Sequence, residues 1–287
     1  MNPKIALATC REFPDLYPDD HPIVAGLAAA GVPAEPVIWN DDVDWSAYAA
    51  VVLRSTWDYH LDAGAFFGWL DRLDRTQVPC WNPTSLVRWN LDKRYLKELA
   101  GEGVATVPTL WIERGVASDE AVERILATGW PDLVVKPSVS AGAWKTLRLA
   151  RAGVEGQAAY LDDVLAEGTL MVQSFMPEIV NDGEFSFLFF GGEFSHAVVK
   201  RPRSGDFRVQ WSHGGTQAPV TPSAALVLQA RAALAAAPSI GLYGRVDGIV
   251  RNGRLILMEL ELIEPYLHLS DGPGAVDRFV RALLARL

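Results

Sequence analysis

Cysteine is scarce in this sequence: two residues in 287, Cys10 and Cys80, with no CxxC spacing. That excludes a disulfide framework. Long apolar runs are missing as well. No segment reaches about 18 uninterrupted apolar residues, and the opening MNPKIALATCREFPDL has no apolar stretch of signal-peptide length. Positive charge is in the minority, with 26 Lys plus Arg against 35 Asp plus Glu and a formal net charge of −9. Broad contact with nucleic-acid phosphates is therefore not expected. Several catalytic signatures are absent too: GxGxxG after the first strand, GxxxxGK[ST], HxxxH or HExxH among the five histidines, and a GxSxG elbow. These absences disfavour a Rossmann dehydrogenase, a Walker P-loop, a zinc protease and a serine hydrolase. A cytoplasmic protein with no nucleic-acid or membrane partner is the expectation.

What is present supports a sizeable core. Hydrophobic residues make up 49% and charged residues 21%, which allows one large domain or two to three modest ones. Strands are expected over residues 4–9, 34–39 and 48–54, alternating with helices over 23–30 and 63–73. That alternation predicts a parallel α/β sheet, whose ligands gather beyond the carboxyl ends of its strands. Arg54, Trp57 and Asp58 lie at such an end. A short strand over 78–81 runs into a turn at Asn82-Pro83, and a helix follows over 93–99. Further strands are expected over 106–112, 133–136, 146–149, 170–173, 184–190, 193–200, 244–251 and 254–262. Hairpins turn at Gly191-Gly192 and Asn252-Gly253. The fold class expected is α/β followed by α+β.

Four stretches carry chemistry. In the last hairpin, Glu259 and Glu261 share a strand face, and the turn brings Asp247 opposite them. Three carboxylates on one face repel unless a cation sits between them, and hard oxygen donors suit Mg²⁺. An amphipathic strand with a solvated acidic face is the plain alternative. Lys136 closes an apolar strand ahead of a small-residue loop, an arrangement that places an ammonium and backbone N–H groups over a phosphate. A surface lysine lying along its strand is the alternative there. Gln173, Ser174, Phe175 and Met176 form a strand end that can present backbone groups to a base, with Glu184 able to accept from ribose hydroxyls; core packing of Phe175 and Met176 competes with that reading. Lys200, Arg201, Arg203 and Arg208 cluster in a chain short of cations. They would stabilise phosphate oxygens, or simply cover a solvated turn. Gly214-Gly215 follow in a stretch flexible enough to close over a site.

Taken in order, these motifs resemble the ATP-grasp superfamily, and within it bacterial glutathione synthetase and its relatives, over nearly the whole chain. The resemblance implies an ATP-grasp fold behind an amino-terminal parallel domain, with boundaries at 1–90, 91–172 and 173–287. Lys93 and Lys136 fall on the nucleotide-phosphate lysines, Gln173–Met176 on the adenine hinge, and Glu184 on the ribose acid. Asp247, Glu259 and Glu261 fall on the magnesium ligands, with Mn²⁺ as a substitute; the last is usually asparagine. Lys200 and Arg208 fall on the groups that stabilise the transferred phosphoryl, and Gln210, His213 and Gly214 on the acceptor loop. Arg54 falls on an arginine that holds a substrate carboxylate. Its neighbours Trp57 and Asp58 depart from the glutathione synthetase pattern, so a different substrate is implied. The implied reaction is ATP- and Mg²⁺-dependent activation of an amino-acid-like carboxylate for attack by an amine-type nucleophile. A subgroup resembling the cycloserine-forming enzyme, which closes a ring within one molecule, shares this plan. A non-catalytic nucleotide binder on the same fold is the rival, and a homo-oligomer is implied by related enzymes.

Overall fold

The computed structural model describes residues 4–287, apart from the side chain of Trp211. The first unit runs β1 (Ile5–Thr9), α1 (His21–Ala29), β2 (Ala34–Ile38), β3 (Ala50–Ser55), α2 (Ala63–Thr76) and β4 (Cys80–Trp81). Its sheet is parallel, in the order β2-β1-β3-β4. β1 and β3 are buried along their whole length, as expected of parallel strands covered on both faces. Asp62 caps α2 by accepting from Ala65 N, and Phe66, Trp69, Leu70 and Leu73 are its buried residues. They pack on one face of the sheet with Ala6, Ala8, Val51 and Leu53.

Two short helices, α3 (Thr84–Leu91) and α4 (Tyr95–Gly101), lead to an antiparallel sheet of order β5-β8-β6-β7. Its strands are β5 (Thr109–Ile112), β6 (Asp132–Pro137), β7 (Leu147–Ala150) and β8 (Leu170–Ser174), with α5 (Ser118–Ala127) and α6 (Ala158–Glu167) between them. Ala121, Ile125, Leu161, Val164 and Leu165 from the helices give this sheet a core of its own. After α7 (Glu178–Asn181) comes a second antiparallel sheet, ordered β11-β10-β9-β12-β13. Its elements are β9 (Glu184–Phe190), β10 (Glu193–Arg201), β11 (Thr216–Val220), α8 (Ala224–Ala235), β12 (Tyr243–Arg251) and β13 (Arg254–Glu261), and α9 (Ala275–Leu284) completes the chain.

Helices expected over 118–127, 154–167 and 224–237 form as α5, α6 and α8; the sequence expectation misses α3, α7, α9 and β11. Pro83 caps the start of α3 rather than making a turn. A missing N–H costs little at a helix start, where it has no intrahelical partner. β11 is exposed along most of its length; its strand character comes from pairing with β10, Lys200 opposite Gln217. The segment expected to be a flexible lid is thus partly a sheet edge.

Two connections position the site. Leu86, Tyr95, Leu96 and Leu99 of α3 and α4 pack under the last sheet with Leu257 and Leu260. Tyr95 and Asn90 bond the backbone at Leu260 and Leu262. The other face of the first sheet, Ile5, Leu7 and Val52, packs with Ile23 and Leu27 of α1 and shares a core with Leu188, Phe190 and the α9 residues Phe279, Val280 and Leu283. Among the described residues, no helix is long and apolar enough to cross a membrane.

Candidate active site

One cleft of about 360 Å³ lies where the two antiparallel sheets and the carboxyl end of the parallel sheet meet. Fourteen of the sequence-derived site residues line it: Lys93, Lys136, Gln173, Ser174, Phe175, Met176, Glu184, Lys200, Arg208, Asp247, Glu259, Glu261, Trp57 and Gln210. Arg54, Asp58, His213 and Gly214 do not.

The acidic hairpin reaches the cleft through a bulge. β12 and β13 pair Arg251 with Arg254 and Gly248 with Leu257, and then the register shifts so that Asp247 faces Glu259 and Arg245 faces Glu261. Leu255 and Leu257 are buried on one parity of β13, whereas Leu260 is buried on the other. Without the extra residue, Glu259 and Glu261 would share the face of Leu255 and Leu257 and enter the core. Gly248 makes room for this: a Cβ there would lie 2.6 Å from the Ile256 carbonyl oxygen.

The three carboxylates do not converge on an empty centre. Among the described residues, no three His, Cys, Asp or Glu side chains are spaced as a metal-ligand group. Arg245 stands between Asp247 (2.9 Å) and Glu261, and Lys93 Nζ lies 3.1 Å from Glu259 Oε1. Lys200 bridges Glu184 at 2.5 Å and Asp247 at 2.9 Å. The cation expected between these carboxylates is thus supplied here by side chains: Arg245, Lys93 and Lys200. Burial opposes ionisation of Asp247, but Arg245 and Lys200 outweigh it and hold the carboxyl well below the usual range. Burial likewise works against Glu259, and Lys93 and Lys136 overcome it, so its carboxyl also lies low. For Glu261 burial wins, pushing it up to about 7 despite Arg245, and burial pushes Glu264 up to about 8.

The opposite end of the cleft is apolar. Val107, Met176, Ile179, Val209 and Ile249 form a small core beside Phe175 and Met258, so Phe175 and Met176 both pack and line the cavity. Ser174 N and Phe175 N donate to the carbonyls of Pro108 and Asp132 (3.1 and 2.9 Å), which removes those two N–H groups from base recognition. Between the two ends, Lys136 projects from β6 and has no ion pair among the described residues; burial pushes its ammonium pKa down. Lys93 Nζ donates to the Ser140 carbonyl in the small-residue loop.

Four placements correct the sequence expectation. Arg54 is fully buried. Its guanidinium donates to Asp20 Oδ1 (3.1 and 3.2 Å) and to the Pro265 carbonyl (2.9 Å), and lies 5.1 Å from the centre of the Tyr243 ring. With its donors spent beneath the site, it cannot meet a substrate carboxylate. Asp58 accepts from Trp39 Nε1 at 2.7 Å. The N–H groups of His213 and Gly215 both donate to the Gln210 carbonyl (3.0 and 3.1 Å), and a Cβ on Gly214 would meet Arg203 Cδ at 3.2 Å. Both shape the Gln210 turn rather than the cleft. Arg208 does line the cleft, yet its guanidinium is paired with Asp206 at 2.9 Å. Sequence reasoning passed over Arg245, Glu264, Tyr266 and His268, which also line the cleft. Arg245 was within reach, since it sits two residues before Asp247 on the same strand face.

Comparisons with known proteins bear on the family and the fold. Residues 5–82 match the family model described as "D-cycloserine synthetase DcsG, N-terminal domain". The cycloserine biosynthesis protein DcsG of Streptomyces lavendulae is 32% identical over 94% of both chains. A crystal structure of D-cycloserine synthetase DcsG superposes with a TM-score of 0.90 at 30% identity, covering 98% of this chain and 99% of that one. A Bacillus anthracis D-alanine–D-alanine ligase, complexed with ATP, shares the fold at a TM-score of 0.68 and 15% identity, over 98% of this chain and 94% of that one. The chain belongs to the ATP-grasp superfamily, in the family of the cycloserine synthetase DcsG, and is an ATP-dependent ligase or cyclase.

Proposed function

We propose that the chain closes a ring within one amino-acid derivative, activating its carboxylate with ATP and displacing the resulting acyl phosphate with a nitrogen of the same molecule. The observation that carries this reading is the likeness to DcsG along almost the entire chain, at about twice the identity found with the intermolecular ligase. The cleft suits such a reaction. Its apolar end between Met176, Ile179 and Val107 accepts a base, and Lys93 and Lys136 meet the phosphates. Glu184 takes the ribose.

The donors at the acidic end are all oxygens, which fits magnesium in kind. Asp247, Glu259 and Glu261 would hold it, exchanging their present cations for it; when bound, the metal neutralises phosphate charge. Lys200 and Arg245 are then positioned to stabilise the oxyanions of the acyl phosphate and of the tetrahedral intermediate. Arg208 joins them once Asp206 releases it. No side-chain nucleophile is needed: the carboxylate oxygen takes the γ-phosphoryl group as ADP leaves, the nitrogen adds to the acyl-phosphate carbonyl and gives up its proton, and phosphate leaves with the electron pair of the broken C–O bond. Catalysis is then a matter of orientation and electrostatics.

The test is phosphate release across a panel of amino acids and their ureido and hydroxamate derivatives, followed by the mass of the product. Cyclisation gives a product lighter than its single substrate. A product containing two substrate molecules would assign intermolecular ligation, and nucleotide binding without phosphate release from any substrate would assign a binder.

A further inference from the structure

The loop after β13 presents an imidazole that the reaction above does not use. His268 is 1% exposed and lines the cleft, and neither ring nitrogen has a hydrogen-bond partner among the described residues. Buried polar groups left unpaired are rare, and a ligand is one of the few things that explains them. Its backbone is also unusual: φ is +50°, in the left-handed region that a non-glycine residue seldom adopts. Such a conformation persists where the surroundings over-determine it, and here they do. Leu269 N and Ser270 N donate to Asp19 (2.7 and 2.9 Å), and His196 Nε2 donates to the carbonyls of Leu267 and His268 (3.1 and 2.9 Å). Gly272 lies so close under the His196 ring that a Cβ would come within 2.5 Å of its Cγ.

The surroundings also select a tautomer. Asp271 Oδ2 lies 3.5 Å from His268 Nδ1 and is itself fixed by Gln217 Nε2 at 2.6 Å. A carboxylate on that side favours the proton on Nδ1 and leaves Nε2 as a lone-pair acceptor. Lys200 and Arg245 act on the ring from the other elements, and Asp247 acts in the opposite sense; burial and the cations keep the imidazole neutral. Those two cations already serve oxygen anions. An acceptor beside them calls for a donor, and the donor the proposed reaction brings is the N–H of the nucleophile.

We infer that His268 Nε2 accepts a hydrogen bond from the nucleophilic nitrogen of the substrate, an amine- or ureido-type N–H, and so turns its lone pair toward the activated carbonyl. This rests on the cyclisation reading. The test compares wild type, His268→Phe and His268→Gln with ATP, Mg²⁺ and a derivative that wild type turns over. Phe keeps the volume but cannot accept, and Gln retains an acceptor. His268→Phe is expected to lose about tenfold or more in kcat/KM for the derivative, mostly in kcat, with KM for ATP unchanged within about twofold. His268→Gln is expected to recover a substantial part of that loss, and both variants should keep the ADP-induced thermal shift. Wild-type kcat/KM in His268→Phe overturns the inference while leaving the cyclisation reading intact. Equal losses in both variants together with loss of the ADP-induced shift make His268 purely structural, which overturns it too. A wild type that turns over no derivative overturns the reading and this inference with it.

Discussion

Arg54 shows how chemistry type and location can part company. Its place at the end of β3 is legible in the alternation of residues 48–54, and the carboxyl ends of parallel strands do gather ligands. Its partner is not legible: Asp20 comes from a different connection, 34 residues earlier, and no local pattern links the two. Burial raises the Asp20 pKa and Arg54 counteracts this, so removing the arginine strands a buried carboxylate. Arg54→Met is therefore expected to destabilise the protein by about 3–5 kcal/mol, measured by denaturant unfolding. Adding Asp20→Asn should restore part of that. Had Arg54 been a substrate group, the loss would appear in KM with stability unchanged. Lys136 was legible for the opposite reason, since it closes the apolar strand β6 ahead of a small-residue loop, whereas Lys93 follows a polar stretch and was reached only through the family resemblance.

At the scale of elements, the hairpin β12–β13 decides whether the acidic residues serve the cleft or spoil the core. The sequence shows Glu259 and Glu261 alternating with Leu260, and that much is readable. The conflict between Leu255 and Leu257 on one parity and Leu260 and Leu262 on the other was readable as well, and implies one extra residue in the strand. What could not be read is where the strain is relieved, because the Gly248 contact with Ile256 runs across strands. Gly248→Val is expected to cost about 2 kcal/mol or more of stability and to depress ATP-dependent phosphate release at least about tenfold in the protein that remains folded. Circular dichroism and phosphate release on the same samples check this, and wild-type turnover in a folded variant would remove the bulge from the account. β11 was illegible for a related reason: pairing with β10 makes it a strand, and propensity does not.

For the molecule as a whole, two buried histidines tie stability to pH. Burial lowers the pKa of His196 and takes that of His268 to about 4. Folded values below the unfolded ones mean that the unfolded chain binds more protons, so this stability is present above about pH 6.5 and is lost as pH falls towards 4. His268 alone accounts for about 2 kcal/mol between pH 7 and pH 5. The low-lying carboxyls of Asp247 and Glu259 add a further loss only below about pH 4. The raised carboxyls of Glu261 and Glu264 act in the opposite sense, gaining stability as pH falls from about 8 towards 5. The histidine contribution is therefore read as a difference: between pH 7 and pH 5 the wild type should lose about 2 kcal/mol of unfolding free energy relative to His268→Gln.

The core that joins the first strand to the last helix has a consequence for how the chain is made. Ile5 and Leu7 leave the ribosome early, but Phe279, Val280 and Leu283, which cover them, are synthesised roughly 270 residues later. Until then that sheet face has only the loop and helix made next to it, Leu16, Ile23 and Leu27, as cover, and at about 5–20 residues per second the rest of its core arrives tens of seconds later. The sheet with α5 and α6 carries its own core and needs no such delay. Biogenesis should therefore complete the middle of the sequence before its two ends close on each other, with the part of the β1 and β3 face that α1 leaves open the stretch that a chaperone would have to guard.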